Sequence, residues 1–155
     1  MLYMIAAVAS NNIIGNSQLD QMPWRCREEL KFFKNETMGG TLVMGSKTAK
    51  QVGKLPGRDA IVLSREPAFT LPGFTTLTLE EFLDFSKDND TTFYICGGGE
   101  IYELLMPYIN KAIISYMHFS AEGDIYLPKL DEDWEIIEEM VFDEFTVKIT
   151  RPKRW

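Results

Sequence analysis

The chain has 155 residues, 45% of them hydrophobic and 25% charged, with a formal net charge of −7. That length supports one domain with a real core, and the acidic balance excludes a protein that coats nucleic acid, which needs a basic face. With only 2 cysteines, Cys26 and Cys96, there is no disulfide framework or zinc cluster, and free thiols in a reducing compartment are expected.

Residues 1–9 are apolar and end in Ala7-Val8-Ala9, the pattern of a signal-peptidase site. They lack a basic leader and run at once into the turn Ser10-Asn11-Asn12, so a buried first strand over 2–8 is the better reading. No apolar run reaches the length of a membrane span. The expectation is a soluble cytoplasmic protein, without a membrane or nucleic-acid partner. Residues 14–25 read as irregular and contain Met22-Pro23-Trp24, a stiff turn whose aromatic can wall a cleft.

A helix is predicted over 26–37, with Cys26, Leu30, Phe33 and Thr37 as its apolar stripe. Glu29 falls on that stripe, while Glu28 sits to the side with Lys31. A lone carboxylate in an apolar cleft is costly, so it grips a ligand or moves a proton. The plainer alternative is a slightly rotated helix with Glu29 solvated, since acids favour a first turn.

A strand over 41–44 leads into Met44-Gly45-Ser46-Lys47-Thr48 and a helix over 48–52. Gly40 and Gly45 have the spacing of a phosphate loop, but Ser46 intrudes before Lys47-Thr48 and a strand fills the interval, which disfavours a nucleotide kinase. A generic phosphate contact stays open, and by spacing alone Lys47 is as readily a solvated lysine. Arg58, in Leu55-Pro56-Gly57-Arg58, suits bidentate capture of a carboxylate; an ordinary surface arginine is the competing reading. The strand over 60–63 ends in Leu63-Ser64-Arg65, which puts another cation at the same rim of a parallel sheet.

Further on come a helix over 79–85 and a strand over 93–96. Cys96-Gly97-Gly98-Gly99-Glu100 then opens a helix over 99–106 that Pro107 ends. Three glycines bare the backbone of a strand-to-helix turn, where an anion can sit; a merely strained turn explains them equally well. After a strand over 112–117, His118 is the only histidine and reads as an ordinary strand-end residue, so no metal site is expected. Residues 119–133 are irregular, and strands over 134–142 and 144–150 make a closing antiparallel hairpin. Short apolar strands alternating with helices mark the α/β class, one domain over 1–155 with a mostly parallel sheet.

Taken in order, these residues resemble dihydrofolate reductase along nearly the whole chain. The matching stretches are Ile5-Ala6-Ala7, Ile14-Gly15, Met22-Pro23-Trp24, Glu29-Leu30, Phe33-Lys34 and Thr37, followed by Met44-Gly45, Lys47-Thr48 and Leu55-Pro56-Gly57-Arg58. Leu63-Ser64-Arg65-Glu66, Gly97-Gly98-Gly99, Ile101-Tyr102 and Glu122-Gly123-Asp124 complete the set. No single piece is specific; the ordered set is.

The resemblance implies a twisted sheet of about eight strands flanked by about four helices, and NADPH-dependent reduction of 7,8-dihydrofolate. It makes Glu29 the one acid at the pterin, with Ser115 linking to it and the Met22 and Trp24 loop closing over the site. Ile5 and Cys96 would face the pterin through backbone carbonyls, beside Ala6. Leu30, Phe33, Lys34, Val52 and Leu55 would surround the substrate's rings, and Arg58, braced by Thr37, would hold its tail carboxylate. For the cofactor it implies Ala7, Ile14 and Gly15 near the nicotinamide. Gly45, Ser46, Lys47, Thr48 and Gly97, Gly98, Gly99 with Glu100, Ile101 and Tyr102 would cradle the pyrophosphate, and Leu63, Ser64 and Arg65 the 2′-phosphate. The Gly97–Gly98 peptide is cis in the family. A monomer open to folate antagonists such as methotrexate or trimethoprim follows too.

Two positions depart from the family's habit. Ser46 stands where a basic residue is frequent, and Ala49 where an aromatic is. Two other readings keep the cofactor half of such a fold: a reductase of a riboflavin-pathway pyrimidine, and a non-catalytic module. The former has no need of Glu29, Phe33 and Arg58 together.

Overall fold

The computed structural model describes residues 1–19, 22–66 and 68–153. Asp20 and Gln21, inside the predicted irregular segment, lie outside the described residues, as do residues 67, 154 and 155. The near-continuous apolar runs form β1 (Leu2–Val8), β3 (Thr41–Gly45), β4 (Asp59–Leu63), β6 (Phe93–Ile95) and β7 (Lys111–Met117). With β5 (Thr75–Leu77), β9 (Trp134–Val141) and β10 (Phe145–Pro152) they make an eight-stranded sheet ordered β5-β4-β3-β6-β1-β7-β10-β9. Every pairing is parallel except those of β10 with β7 and with β9. The C-terminal hairpin is as the sequence predicts, with its turn centred on 142–144.

Alternation along β1 sends Met4, Ala6 and Val8 to one face and Ile5 and Ala7 to the other. The first face packs under α3 (Leu79–Lys87) and α4 (Gly99–Leu105), with Phe82 and Leu105 fully buried. The second lies under α1 (Arg27–Thr37) and α2 (Ser46–Val52), around Leu42, Met44, Ala49 and Ile113. Parallel strands covered on both faces have no polar side to show, which is why they read as unbroken apolar runs.

Three differences from the sequence reading have physical reasons. The helix predicted over 48–52 starts at Ser46, because a first turn needs no apolar residue to form. The α-helix stops at Leu105, before Pro107 as predicted, but a separate 3-10 turn over Met106–Tyr108 follows and contains the proline, as an early helical position tolerates its missing N–H. The segments 14–25 and 119–133, expected to be irregular, are joined by a small antiparallel sheet of β2 (Ile13–Gly15) and β8 (Ile125–Tyr126). Strands of two or three residues are too short to display a period. Asn12 Nδ2 donates to Leu127 O at 3.0 Å and Asn11 Nδ2 to Ala121 O at 2.8 Å, so the two loops form one unit.

The sheet opens at one place. β1 pairs with β6 only from Leu2 to Met4, opposite Phe93 to Ile95, while on its other side it stays paired with β7 as far as Val8. Beyond Met4 the Ile5 carbonyl accepts instead from the Tyr102 hydroxyl of α4, at 2.8 Å. The crevice thus lies beyond the carboxyl ends of the parallel strands, where α/β sheets bind ligands. Phe93 anchors this junction, 1% exposed and edge-on to both Phe82 and Phe85. Phe93→Ala should lower the unfolding free energy by about 3–5 kcal/mol, read as a lower urea midpoint at unchanged slope.

Candidate active site

Helix α1 carries two acids in its first turn, and they meet different surroundings. Glu28 is exposed, whereas Glu29 is 9% exposed. The buried positions of α1 are Glu29 and Thr37, with Phe32 and Phe33 packed half-buried on the core. Leu30, predicted on the apolar stripe, is 47% exposed instead. The buried face is therefore turned by about one residue from the predicted register, and the turn brings Glu29 inward rather than out to solvent. Among the described residues no side chain bonds to the Glu29 carboxylate. Burial raises its pKa from 4.5 to about 7.

Two turns further along α1 the charge reverses. Arg58 is 6% exposed; its Nε donates to Pro56 O at 3.1 Å and its Nη1 to Thr37 Oγ1 at 3.2 Å. The Thr37 hydroxyl donates in turn to Phe33 O at 2.8 Å, so the brace is fixed by the helix itself. Among the described residues no carboxylate lies within 4.0 Å of Arg58. A buried guanidinium without a counter-ion is costly, and an anionic ligand relieves it. Eight residues of helix separate Glu29 from Thr37, roughly 12 Å along the axis. Phe33 lies between them, and Leu55 packs into the same cluster. Leu30 and Val52 leave large apolar side chains exposed. Lys34 is exposed on the outer side of α1.

Ile5 and Ser115 stand on the α1 side of the sheet, Ser115 buried and registered opposite Ala7. The Cys96 N–H donates to Val43 O at 2.8 Å, and burial pushes its thiol up to about 12, so it is an inert thiol at neutral pH. The Tyr102 phenol is raised well above its ordinary value, by burial first and then by Cys96 and Glu29, which puts all three within electrostatic reach. The side chains of Ala6 and Leu63 belong to the opposite core, so only their backbone can meet a ligand. His118 bonds to Asp143 O and Thr146 Oγ1 of the C-terminal hairpin.

At the strand ends a second surface is bare backbone. Gly97 has φ +111° and its peptide to Gly98 is cis; Gly45 N donates to Gly97 O at 2.9 Å. A Cβ at Gly97 would sit 3.3 Å from the Tyr102 ring, and one at Gly98 would sit 3.3 Å from Thr48 Oγ1. Gly99 faces Ile125 and Ile14 of the small sheet. The turns holding Ser46-Lys47-Thr48, Gly97-Gly98-Gly99 and Ile14-Gly15 thus converge, with Ile101 packed beneath Gly45. A cradle that side chains would fill fits a pyrophosphate held by backbone N–H groups. Ser64 and Arg65 follow β4 at the same edge; Ser64 Oγ accepts from Glu66 N at 3.0 Å, and Arg65 pairs with Glu100.

Over the crevice, Trp24 packs edge-on against Phe119, with ring centroids 5.8 Å apart, and Met22 is exposed. Asp124 accepts from the backbone N–H of Ser17 at 2.8 Å and from its hydroxyl, which ties the first loop to the second. The sequence reading gave Asp124 no role, nor did it foresee the Tyr102–Ile5 and Arg65–Glu100 contacts. Glu122-Gly123-Asp124 was the available signal for the first of these. Gly123 has no room for a side chain, since a Cβ would collide with Gly15 O.

The family model described as dihydrofolate reductase matches residues 1–149. The chain belongs to this family. A dihydrofolate reductase of Haemophilus influenzae is 35% identical over 145 residues, covering 92% of this chain and 86% of the relative. Dihydrofolate reductase type A13 of Escherichia coli is 33% identical over 139 residues, covering 88% and 83%. The solved dihydrofolate reductase of Enterococcus faecalis, complexed with NADP(H) and RAB-propyl, is 28% identical with a TM-score of 0.89, covering 98% of this chain and 96% of that one. Family membership makes this protein an NADPH-dependent oxidoreductase that reduces dihydrofolate.

The buried acid has a cost in stability whose sign is fixed. Glu29 holds its proton more tightly folded, about 7 against 4.5, so stability falls as pH rises between those values and the full penalty is present above 7. Glu29→Gln should therefore stabilise the ligand-free protein at pH 8, by up to about 3 kcal/mol, with little gain at pH 4. Thermal melts at both pH values read this; an equal shift at each would refute it.

Proposed function

We propose that Glu29 is the single acidic group in the reduction of 7,8-dihydrofolate to 5,6,7,8-tetrahydrofolate, and that Arg58 is the anchor for the substrate's far end. The observation that carries this reading is that two buried groups of opposite charge, neither paired with a counter-ion among the described residues, stand at the two ends of α1, Glu29 in its first turn and Arg58 against Thr37 in its last, positions about 12 Å apart along the axis. Folate has hydrogen-bond donors on its pterin, a flat aromatic middle and a carboxylate tail, in that order. A pyrimidine intermediate, which lacks the aromatic middle and the carboxylate tail, has no need of Glu29, Phe33 and Arg58 in this arrangement.

NADPH supplies the hydride that goes to C6, while N5 takes a proton. No histidine is near the crevice to deliver that proton, because His118 is engaged in the C-terminal hairpin. The Glu29 carboxylate accepts from the pterin's 2-amino group and N3–H, which orients and polarises the ring, and Ser115 extends this link. A water admitted past Met22 and Trp24 then protonates N5 at the ring's other end. The carbonyls of Ile5 and Cys96 line the ring beside Ala6. Leu30, Phe33, Val52 and Leu55 grip the flat middle, and Lys34 lies near the tail held by Arg58.

In the cofactor half, Gly45, Ser46, Lys47, Thr48 and the Gly97–Gly99 backbone hold the pyrophosphate, flanked by Glu100, Ile101 and Tyr102. Ala7, Ile14 and Gly15 position the nicotinamide, and Leu63, Ser64 and Arg65 take the 2′-phosphate. Closure of the loop around Met22 excludes bulk water and aligns donor with acceptor. The same proposal makes the protein a cytoplasmic monomer inhibited by folate antagonists such as methotrexate and trimethoprim. Free Cys26 and Cys96 suit a reducing compartment. Glu135, Glu138 and Glu139 on the edge strand β9 discourage edge-to-edge pairing.

Absorbance at the NADPH band should decay when dihydrofolate is added and hold steady without it. Glu29→Gln should cut kcat at pH 7 by about 10²-fold or more; a folded variant with full turnover would remove Glu29 from the chemistry. Productive complexes need one proton beyond a Glu29 carboxylate and neutral dihydropterin. The parent's kcat/KM should therefore decline above about pH 7, a decline that Glu29→Gln moves or abolishes. Arg58→Gln should act differently, raising KM for dihydrofolate by roughly 30-fold or more while kcat changes little.

A further inference from the structure

Arg65 and Glu100 come from separate turns at the carboxyl edge of the sheet, one just after β4 and the other in the first turn of α4. Their side chains nevertheless meet as an ion pair, the Arg65 Nη2 donating to Glu100 Oε1. Both are well exposed, at 86% and 64%, so the pair is not needed to hold the fold. Its place is the rim of the glycine cradle, since Glu100 follows Gly97-Gly98-Gly99 directly. We propose that Glu100 is a specificity-determining residue: it serves as an internal counter-ion for Arg65 that a cofactor phosphate must displace, and so it lowers the preference for a phosphorylated over an unphosphorylated dinucleotide. This rests on the reading of Arg65 as the 2′-phosphate site.

The local charge balance supports it. Ser46, which could have carried a second cation at this rim, is neutral. Glu66, next to Arg65, adds an exposed carboxylate. Lys47, the other cation, lies close enough to Asp124 to contribute, after the Ser17 hydrogen bonds, to holding that carboxyl below its ordinary value. Arg65 therefore already has an acid as its partner before any ligand arrives, and Lys47 lies in the field of another. Displacing Glu100 forfeits an exposed ion pair and leaves a carboxylate beside the incoming phosphate. Both effects act on the phosphate-bearing ligand and hardly at all on its unphosphorylated counterpart.

The opposite role, in which Glu100 orients Arg65 ready for the phosphate, predicts the opposite sign, so one set of titrations decides. Calorimetric titration of NADP+ and NAD+ into the parent, Glu100→Gln, Arg65→Gln and the double variant measures affinity without turnover. Glu100→Gln should tighten NADP+ by roughly two- to fivefold, the size of an exposed ion pair, and raise the NADP+ to NAD+ affinity ratio. Glu100→Arg should raise that ratio further. In the Arg65→Gln background the Glu100→Gln gain should shrink to what the direct carboxylate–phosphate repulsion contributes, and the part that is lost identifies Arg65 as the route. If Arg65→Gln weakens NADP+ but Glu100→Gln leaves the ratio unchanged or lowers it, the inference fails while the Arg65 reading stands. If Arg65→Gln leaves the ratio unchanged, the Arg65 reading fails and the inference with it.

Discussion

Two groups of opposite charge are buried along a single helix and held too far apart to neutralise one another. Glu29 and Arg58 could in principle form an ion pair, and a protein selected for stability alone would let them meet or replace both. Helix α1 prevents the meeting. Glu29 is in its first turn, and Arg58 is tied through the Thr37 hydroxyl to its last. The rigidity of the helix thus stores two unmet electrostatic demands, and a ligand of matching length and polarity satisfies both together. On the proposed reading the exposed Leu30 and Val52 add a third demand that the same ligand meets.

The gap that receives this ligand is made by the sheet. Strand β1 parts from β6 after Met4, and the Tyr102 hydroxyl takes the Ile5 carbonyl that a continued ladder would have used. Because β3, β4 and β6 run parallel to β1, the turns that follow them all emerge at that same edge. One topological fact therefore brings the Gly45, Ser64 and Gly97 turns to a common edge, where the proposed reading puts the cofactor.

How far this could be foreseen varied with the length scale of the signal. The long apolar runs identified five of the main-sheet strands to within a residue or so, since burial on both faces leaves no ambiguity of period. Glu29 stood out because an acid on an apolar stripe is costly, although the stripe itself was misjudged by about one residue. Leu30 suits either the core or the rim of a cleft, and composition alone does not separate the two. The β2 and β8 strands escaped notice because strands so short are defined by their partners. Arg58 read equally well as a surface arginine; only the fold shows that it is buried. The Arg65–Glu100 pair depends on two turns 35 residues apart in the chain, a proximity that no local pattern encodes.

An acidic protein must still receive a polyanionic cofactor and a carboxylate-bearing substrate, and it does so with little positive charge. The cradle relies on backbone: Gly97 at positive φ, with Gly98 and Gly99, leaves N–H groups unobstructed by side chains. Such dipoles attract an anion at close range without raising the net charge or the long-range field. On the proposed reading the few cations stand where a specific group must be recognised, Arg58 for a carboxylate and Arg65 for a phosphate. Their settings differ, and so does their contribution. Arg58 is buried with no carboxylate beside it among the described residues, so its interaction with an anion is strengthened by the low dielectric around it. Arg65 is exposed and already paired, so its interaction is a modest exchange of one anion for another. On the proposed reading, substrate recognition in this chain is therefore built on stored electrostatic cost, and the inferred discrimination at the phosphate rim on competition between neighbouring surface charges.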